Sequence, residues 1–471
     1  MKVGIIGAGP AGLACALALT RQHVEVVLFE ADAVPGGLCR SFDLWGMNVD
    51  LGPHRFFSMD AGVTDFWRAP LGDDFVLVDR LTRIFYKKKF FAYPIKPVDA
   101  LTKLGFAESV HCGASYLAAQ LLPSGAEDRT FAQWVSRRFG KRLFEIFFKS
   151  YSEKLWGISC DELDSSFAAQ RIKGLSLYEA VKNALFSGKT KHKTLVEQFA
   201  YPTEGAGQPY ERMADEITRG GGKIIYDSKV LGVEPVAGGR AVEVRTSAGT
   251  ETFDHVVSTM PLTDVVENSS AFGENAKEAA RKLHYRNTII VYLLINSEAI
   301  FQDNWIYVHA PFLQTGRITN FRNWSKHMLH GSKKTILAME YWANDADALW
   351  KSSDAELEAL AAKEIVETGL VEPGMVEDAH VVRLHRSYPV YANGYEEHLR
   401  IIQDAVDAIP WLTCIGRNGA FKYNNQDHSI LMGMLAAENI AKNRHHPLWN
   451  INTDYDYHEG EGTLPGQGAV D

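Results

Sequence analysis

A run of three closely spaced glycines near the first residue restricts the fold of this chain more than any other feature. The run Gly7-Ala8-Gly9-Pro10-Ala11-Gly12 lies between an apolar strand pattern at 2–7 and a helical pattern at 11–22, and a second strand pattern follows at 24–30. Gly7 allows a tight turn, Gly9 lets the backbone approach a pyrophosphate, and Gly12 lets the helix pack closely on the strand. The order predicts a βαβ unit whose helix N-terminus binds a dinucleotide through Gly7, Gly9, Pro10, Ala11 and Gly12.

Glu30 ends the second strand, about 20 residues after the glycines, where a carboxylate accepts hydrogen bonds from a ribose hydroxyl. These residues by themselves allow either NAD or FAD. The chain continues from Glu30 through Val34-Pro35-Gly36-Gly37-Leu38-Cys39-Arg40, and this run resembles the FAD-binding fold of the amine oxidase, phytoene desaturase and UDP-galactopyranose mutase group. Residues 255–262 resemble the strand that returns to the nucleotide domain in that group. The resemblance implies FAD, with Gly37, Leu38, Arg40 and Val230 in contact with it.

Composition limits the class of protein. The chain has 471 residues, of which 46% are hydrophobic, and a net charge of -9, so we expect two or three folded domains and no nucleic-acid partner. Five cysteines form neither a CxxC nor a metal-ligand pattern, which favours reduced thiols, no metal site and a cytoplasmic location. No apolar run approaches the ~18 residues of a membrane span, and the apolar start is too short for a signal peptide.

The pattern along the chain changes from helical to strand-like and back. Helical spacing occurs at 101–121, 130–149 and 176–187, strand patterns occupy 223–262 and 284–345, and helices are predicted at 352–368 and 427–443. We therefore expect an α/β protein: a Rossmann-like FAD-binding domain with a helical insert domain and an antiparallel β-sheet domain. The predicted boundaries are 1–97, 200–265 and 410–445 for the discontinuous FAD domain, 98–199 for the helical insert, 266–409 for the sheet domain and 446–471 for a tail.

Several segments between residue 1 and about 445 resemble UDP-galactopyranose mutases of the bacterial and fungal kinds. Residues 50–58 (DLGPHRFFS) resemble the mutase loop whose histidine lies against the flavin, which implies contacts from Pro53 and a catalytic part for His54. Residues 151–171 resemble the Y-x-x-K-x-W-G segment whose later arginine, here Arg171, reaches the active site. Without the resemblance, His54 is also consistent with a histidine that lies in a turn beside a buried strand.

Two further segments resemble the mutase strands that hold the substrate diphosphate. Residues 305–307 and 317–325 carry Tyr307, Arg317 and Asn320, and residues 387–390 carry Tyr388, where the second proline of the mutase Y-P-x-P segment is replaced by Tyr391. Arginine suits this role because its planar fork binds phosphate oxygens in pairs. Without the resemblance, Arg317 would be read as a member of a surface ion pair.

The most specific resemblance is residues 416–429 (GRNGAFKYNNQDHS), which match the fungal mutase ending almost in full. It implies that Arg417 reaches the flavin, that Tyr423 reaches the substrate phosphates, and that a helix N-terminus lies under the flavin ring. The implied cofactor contacts are Arg417, Asn425, Gln426, Asp427 and Ser429. Asn425 or Asp427 also fits the role of a helix N-cap, and the two roles are compatible.

Two positions depart from the mutase pattern. Lys96 follows Tyr93-Pro94-Ile95 where mutases carry an amide side chain toward the base, and Gln208-Pro209-Tyr210 replaces a glycine and tryptophan turn. Lys96 is therefore a candidate substrate contact. One interpretation of the two departures is that the nucleoside base or the sugar of the substrate differs from that of UDP-galactose.

The resemblance implies a redox-neutral reaction in which N5 of reduced FAD attacks the anomeric carbon of a nucleotide sugar and displaces its diphosphate. The ring then closes through another hydroxyl, so a pyranose becomes a furanose without a side-chain general base. NAD(P)H is a candidate external reductant and a homo-oligomer a candidate assembly. The alternatives are an FAD-dependent oxidoreductase of the amine oxidase or protoporphyrinogen oxidase type and a non-catalytic flavin-binding protein.

Overall fold

The computed structural model describes residues 1–121, 128–172, 198–236 and 241–451, with the backbone alone at 97–98 and 169–172. Strands are numbered in chain order. They are β1 (Lys2–Ile6), β2 (Glu25–Phe29), β3 (Ser41–Leu44), β4 (Met47–Asp50), β5 (Phe75–Asp79), β6 (Thr82–Tyr86), β7 (Lys89–Ala92), β8 (Gln198–Pro202), β9 (Lys223–Ile225), β10 (Val230–Pro235), β11 (Val242–Thr246), β12 (Gly249–Phe253), β13 (His255–Ser258), β14 (His284–Ile295), β15 (Trp305–Val308), β16 (Arg317–Asn320), β17 (Thr335–Ala343), β18 (Val376–Val390) and β19 (Leu412–Cys414).

Helices alternate with these strands and predominate in the described part of the insert between β7 and β8. They are α1 (Pro10–Thr20), α2 (Ala61–Arg68), α3 (Pro97–Leu104), α4 (Phe106–Gln120), α5 (Phe131–Phe139), α6 (Lys141–Phe144), α7 (Ser150–Trp156), α8 (Ser165–Ile172), α9 (Gln208–Arg219), α10 (Leu262–Glu267), α11 (Glu274–Ala280), α12 (Ala348–Lys351), α13 (Asp354–Glu367), α14 (Tyr395–Asp407), α15 (Gly416–Gly419) and α16 (Gln426–Lys442).

The predicted βαβ unit forms the middle of a parallel sheet. The strand order is β19-β13-β1-β2-β9, and every neighbouring pair is parallel. Helix α1 is almost wholly buried, and α16 packs along it so closely that a Cβ at Gly433 would lie 2.4 Å from the carbonyl oxygen of Ala11. The sheet therefore brings the glycine turn after β1 and the N-terminal end of α16 to the same edge.

A second, larger sheet has the order β18-β14-β17-β16-β15-β6-β7. Its pairs are antiparallel except β15 with β6, which are parallel. Residues 82–92, which the sequence placed in the first FAD segment, thus join this sheet through β15. The 15-residue strand β18 matches no predicted element: it is an edge strand, so its side chains are mostly half-exposed and lack the continuous apolar pattern of β14.

The fold class is confirmed, and the helical insert differs from the prediction in detail. The segment predicted as one helix at 101–121 is two helices, because Gly105 has a φ of 88° and cannot continue α3. The segment 130–149 is likewise divided at Gly140, which has a φ of 84° and ends α5. The predicted helix at 176–187 lies outside the described residues.

The remaining predictions concern cysteines, membranes and the tail. All five cysteines are buried, and none of them forms a disulfide bond. Within the described ranges, no helix is both long and apolar enough to cross a membrane. Of the tail predicted at 446–471, Ile451 is buried and Trp449 donates from Nε1 to Asp407 at 2.8 Å, and residues 452–471 lie outside the described part of the chain.

Candidate functional site

The glycine turn after β1 is closed by contacts that leave no room for side chains. Gly7 has a φ of 97°, and a Cβ on Gly12 would lie 1.9 Å from the carbonyl oxygen of Gly7. A Cβ on Gly37 would lie 3.0 Å from the Cα of Gly9, so these two glycines meet backbone to backbone. We call this pair, Gly9 and Gly37, the glycine cradle. It presents bare backbone at the N-terminus of α1, as a pyrophosphate site requires.

Glu30 stands at the end of β2, beside the glycine cradle. Its carboxylate accepts hydrogen bonds from the backbone N–H of Ala8 at 2.6 Å and of Asp32 at 2.9 Å. Burial raises the pKa of Glu30, although these backbone donors pull in the opposite direction. The two amides hold the carboxylate against the turn, in the orientation that a ribose hydroxyl would meet.

A cavity of about 980 Å³ extends from the glycine cradle to the edge of the larger sheet and into the helical insert. Most of the residues predicted from the sequence line it, although they come from segments more than 400 positions apart. The predicted residues that line the cavity are Gly7, Gly9, Pro10, Ala11, Glu30, Gly37, Leu38, Pro53, His54, Val230, Tyr307, Arg317, Tyr388, Arg417, Tyr423, Asn425, Gln426 and Ser429.

Three predicted cofactor residues lie beside the cavity rather than in its wall. Gly12 serves the packing of α1, as described above. Arg40 forms an ion pair with Asp32. Asp427 is buried in the first turn of α16, with its carboxylate 3.0 Å from Nδ1 of His428. These residues shape the elements around the site.

The predicted substrate residues Asn320 and Lys96 are not among the residues that line the cavity. Nδ2 of Asn320 donates to the carbonyl of Phe301 at 3.0 Å, and its Oδ1 accepts from the backbone of Arg322 at 3.1 Å. The reason is strand alternation, because Asn320 is three positions from Arg317 and points to the opposite face of β16. Lys96 is exposed at the start of α3. The side chain of Arg171 lies outside the described atoms, so its role stays a prediction.

His54 lies in the cavity as a neutral imidazole. Burial, together with the positive charges of Arg417 and Arg317, lowers its pKa to about 3. Its Nδ1 is buried and has no hydrogen-bond partner among the described residues. The His54 loop is held by Gln426, whose side chain donates to the carbonyls of His54 and Arg55 at 3.1 and 2.9 Å.

The departure at 208–210 has a structural explanation. The Tyr210 hydroxyl donates to Oε1 of Gln426 at 2.5 Å, and the Gln208 side chain accepts from the backbone of Glu204 at 3.1 Å. Tyr210 therefore orients the amide that holds the His54 loop. Tyr210 therefore acts on the site through Gln426 and does not itself line the cavity.

Arg317 and Glu340 form a buried ion pair in the wall of the cavity. Nε of Arg317 donates to Oε1 of Glu340 at 2.6 Å, and Nη2 donates to Oε2. Burial opposes the charge on Arg317, but the carboxylate of Glu340 raises its pKa well above the ordinary value. Nη1 makes no hydrogen bond with a described residue, which leaves one edge of the guanidinium for a ligand.

Arg417 is fixed between two tyrosine rings. Its guanidinium carbon is 5.1 Å from the ring centre of Tyr388 and 5.7 Å from that of Tyr423, and Nη2 donates to the carbonyl of Asn424 at 2.7 Å. Burial raises the pKa of Tyr388, so its phenol stays protonated at neutral pH. The arrangement combines a fixed cation with hydroxyl donors.

Sequence reasoning missed two cavity residues that belong to an aromatic stack. Tyr151 and His309 stack with ring centres 4.9 Å apart, and Tyr151 meets Tyr307 edge to face at 5.4 Å. Strand alternation could have suggested His309, which is two positions from Tyr307 and so points to the same face. Lys154 lies behind the stack and donates to the carbonyls of Val308 and Ala310 at 3.1 and 2.8 Å, which is a structural role.

The residues present fit a flavin dinucleotide. The glycine cradle would hold the pyrophosphate, because its two glycines line the cavity with bare backbone at the N-terminus of α1. Nδ1 of His54 is a buried polar atom that needs a partner from the cavity. The N-terminus of α16 borders the cavity at Asn425 and Gln426, and the positive end of its dipole can meet electron-rich ring atoms.

Comparisons with known proteins agree with this fit. The model of the flavin containing amine oxidoreductase family matches residues 10–410. Coproporphyrinogen III oxidase of Staphylococcus aureus is 25% identical over 228 residues, which cover 44% of this chain and 47% of that protein. The chain therefore spans about half the length of this relative.

Two solved structures share the whole fold. The structure of reduced UDP-galactopyranose mutase superimposes with a TM-score of 0.84 and 20% identity, covering 94% of both chains. A protein assigned as a protoporphyrinogen oxidase, from Exiguobacterium sp. 255-15, has a TM-score of 0.73 and 18% identity, covering 94% of this chain and 99% of that one. Since the family model spans most of the chain, this protein belongs to the flavin-containing amine oxidoreductases and has the fold of UDP-galactopyranose mutase.

Proposed function

We propose that this protein is a flavin-dependent mutase that interconverts the pyranose and furanose forms of a nucleotide sugar of the UDP-galactose type. One observation carries the proposal: two arginines and three tyrosines line the same cavity as the glycine cradle. They are Arg317, Arg417, Tyr307, Tyr388 and Tyr423. Guanidinium groups and phenol hydroxyls suit phosphate oxygens, whereas an oxidase for a neutral or apolar substrate has no use for them beside its flavin.

The two arginines would bind the diphosphate from fixed positions. Glu340 accepts from two nitrogens of Arg317, and a backbone carbonyl and two rings hold Arg417. Donors that are oriented before the substrate arrives need little reorganisation when negative charge develops on a leaving group. Arg171 remains part of the proposal as a further cation at the diphosphate.

The chemistry that reduced flavin supplies when bound is a nucleophilic nitrogen, N5, for the anomeric carbon. The proposed isomerisation is redox-neutral. The tasks left to the protein itself are to orient the sugar, bind the diphosphate and exclude water. The phenols of Tyr151 and Tyr388 would donate hydrogen bonds, because burial raises their pKa and keeps them protonated. His54, with its pKa of about 3, would act as a neutral hydrogen-bonding group.

The test compares the oxidised and the dithionite-reduced protein with UDP-galactose under anaerobic conditions. Other uridine, guanosine and thymidine diphosphate sugars should be included, because Lys96 departs from the mutase pattern. We expect chromatography to show a furanose product with the reduced protein alone. Bleaching of the oxidised flavin by an amine or a porphyrinogen, with peroxide formed in air, would instead favour the oxidoreductase alternative.

A working mutase needs its flavin reduced, and we propose NADH or NADPH as the reductant in the cytoplasm. Stopped-flow absorbance of the oxidised protein with each nucleotide measures this directly. Reduction by neither would leave the mutase proposal standing with another reductant, because the dithionite experiment is independent of it.

A further inference from the structure

Arg55 is a half-buried cation in the cavity wall that the proposed reaction leaves unused. It follows His54 in the loop after β4, and Pro53, His54 and Arg55 all line the cavity. Among the described residues, its guanidinium forms neither an ion pair nor a hydrogen bond. A charge that loses part of its hydration on folding and gains no protein partner is costly, so this group calls for a partner inside the cavity.

Other cations of the same wall are already satisfied. Arg317 is paired with Glu340, and Arg417 donates to a backbone carbonyl and lies between two rings. Lys229 is exposed to solvent. Arg55 differs from these three because it combines partial burial with the lack of a partner in the described part of the chain. This combination points to an anionic group that a ligand brings.

The loop holds Arg55 in place before any ligand arrives. Gln426 donates to the carbonyls of His54 and Arg55 at 3.1 and 2.9 Å. The ring of the next residue, Phe56, stacks on Trp67 with ring centres 3.9 Å apart. Because the backbone is fixed on both sides of Arg55, its guanidinium would bind a ligand with little reorganisation.

The same loop spans the distance between two parts of the site. At one end, a Cβ on Gly52 would lie 3.6 Å from Nη2 of Arg317. At the other end, Gln426 is the first residue of α16, whose N-terminus borders the cavity. The proposed function puts the diphosphate at Arg317 and the flavin ring at α16. Arg55 would therefore lie beside the group between them, which is the sugar.

A neutral hexose gives Arg55 no counter-charge. Galactose offers hydroxyl groups alone, whereas a uronic acid carries a carboxylate in place of its primary alcohol. The two oxygens of a carboxylate match the planar fork of a guanidinium and form a bidentate, charge-assisted pair. This carboxylate lies outside the sugar ring, so the ring opening and closure of the proposed isomerisation are unchanged.

We propose that Arg55 binds a carboxylate of the sugar, and that the substrate is a nucleotide-linked uronic acid. The proposal rests on the mutase function proposed above and narrows its substrate class. It assigns Arg55 as the residue that selects an acidic sugar over a neutral one.

Titration calorimetry of the dithionite-reduced flavoprotein tests the proposal with UDP-galacturonic acid, UDP-galactose and UDP. The uronic acid should bind about 10- to 100-fold more tightly than UDP-galactose, as expected for a hydrogen-bonded charge pair. Arg55→Gln should make the two affinities nearly equal and leave that of UDP unchanged. Arg55→Lys should keep part of the preference, because it retains the charge and loses the fork.

Arg400→Gln is the matched control, because it removes one positive charge from an exposed position on α14. It should leave the preference for the uronic acid unchanged. UDP-galactose that binds as tightly as the uronic acid, or more tightly, would overturn this proposal and leave the mutase function standing. If none of the three ligands bound, the mutase function would fail and this proposal with it.

The rival partner of Arg55 is the flavin, which gains negative charge on reduction. The flavin content of Arg55→Gln, its midpoint potential from dye equilibration and its Tm separate the two assignments. We expect all three to match those of the unmodified protein, because Arg55 has no protein partner to lose among the described residues. A variant that loses its flavin, or whose flavin has a lower potential, would assign Arg55 to the cofactor and overturn the contact with the sugar.

Discussion

Arg317 and Glu340 face each other across β16 and β17, and the guanidinium donates from two of its nitrogens to both carboxylate oxygens in the wall of the cavity. The pair reconciles two interpretations of the sequence. Arg317 is in an ion pair, and the same pair fixes the arginine with one edge left for a ligand. Glu340 is 1% exposed as a residue, so the arginine cannot be removed without cost to stability.

We predict that Arg317→Ala keeps its flavin, binds UDP at least tenfold more weakly, and loses about 3 kcal/mol of stability because Glu340 is left buried and unpaired. The double variant Arg317→Met with Glu340→Gln should recover most of the stability and none of the affinity. Titration calorimetry with UDP and thermal unfolding measure the two effects. Unchanged UDP affinity in both variants would show that Arg317 does not contact the diphosphate.

Tyr388→Phe removes one hydroxyl beside Arg417 and leaves the ring packing intact. We expect UDP affinity to fall about 5- to 20-fold, which is the loss of one hydrogen bond to a charged group, with Tm nearly unchanged. Tyr86→Phe, outside the cavity, is the matched control. Equal affinities for the two variants would contradict a phosphate contact by Tyr388.

Gly9→Val should abolish flavin binding, because the side chain would fill the glycine cradle against Gly37. The flavin content of the purified protein, read from its absorbance, is the measurement. Gly273→Val is the control, since a Cβ at Gly273 meets nothing within 4 Å. A Gly9→Val protein with full flavin content would place the pyrophosphate elsewhere.

His309 should make the protein sensitive to acid. Burial and the nearby Lys154 lower its pKa to about 3 in the folded state, whereas the unfolded value is about 6.5. Below pH 6.5 the unfolded state therefore binds more protons than the folded state. The contribution of His309 to the free energy of unfolding is fully present above pH 6.5 and is lost progressively as the pH falls toward 3. At pH 4 the loss from this group is roughly 3 kcal/mol.

His309→Phe keeps an aromatic ring on Tyr151 and removes the titrating group. Its denaturant unfolding free energy should fall less between pH 7 and pH 4 than that of the unmodified protein. His445→Phe, at an exposed histidine, should not change the slope. Parallel curves for His309→Phe and the unmodified protein would show that His309 is protonated in the folded state.

The nucleotide half of the fold was predictable because its determinants are local. The turn needs glycine at Gly7, Gly9 and Gly12, and the strand, helix and strand follow within about 30 residues. The long strand β18 was not predictable in the same way, because an edge strand is half-exposed and loses the apolar alternation that identifies a strand.

The sequence by itself determined the βαβ unit and its glycine turn, and the resemblance of the 416–429 segment predicted which distant residues lie together. Tertiary structure alone decided which side chains reach that site. The pairing of β16 with β17 placed Glu340 opposite Arg317, and the period of two along β16 turned Asn320 away from it. Register and facing depend on contacts between strands far apart in the chain, which no local pattern encodes.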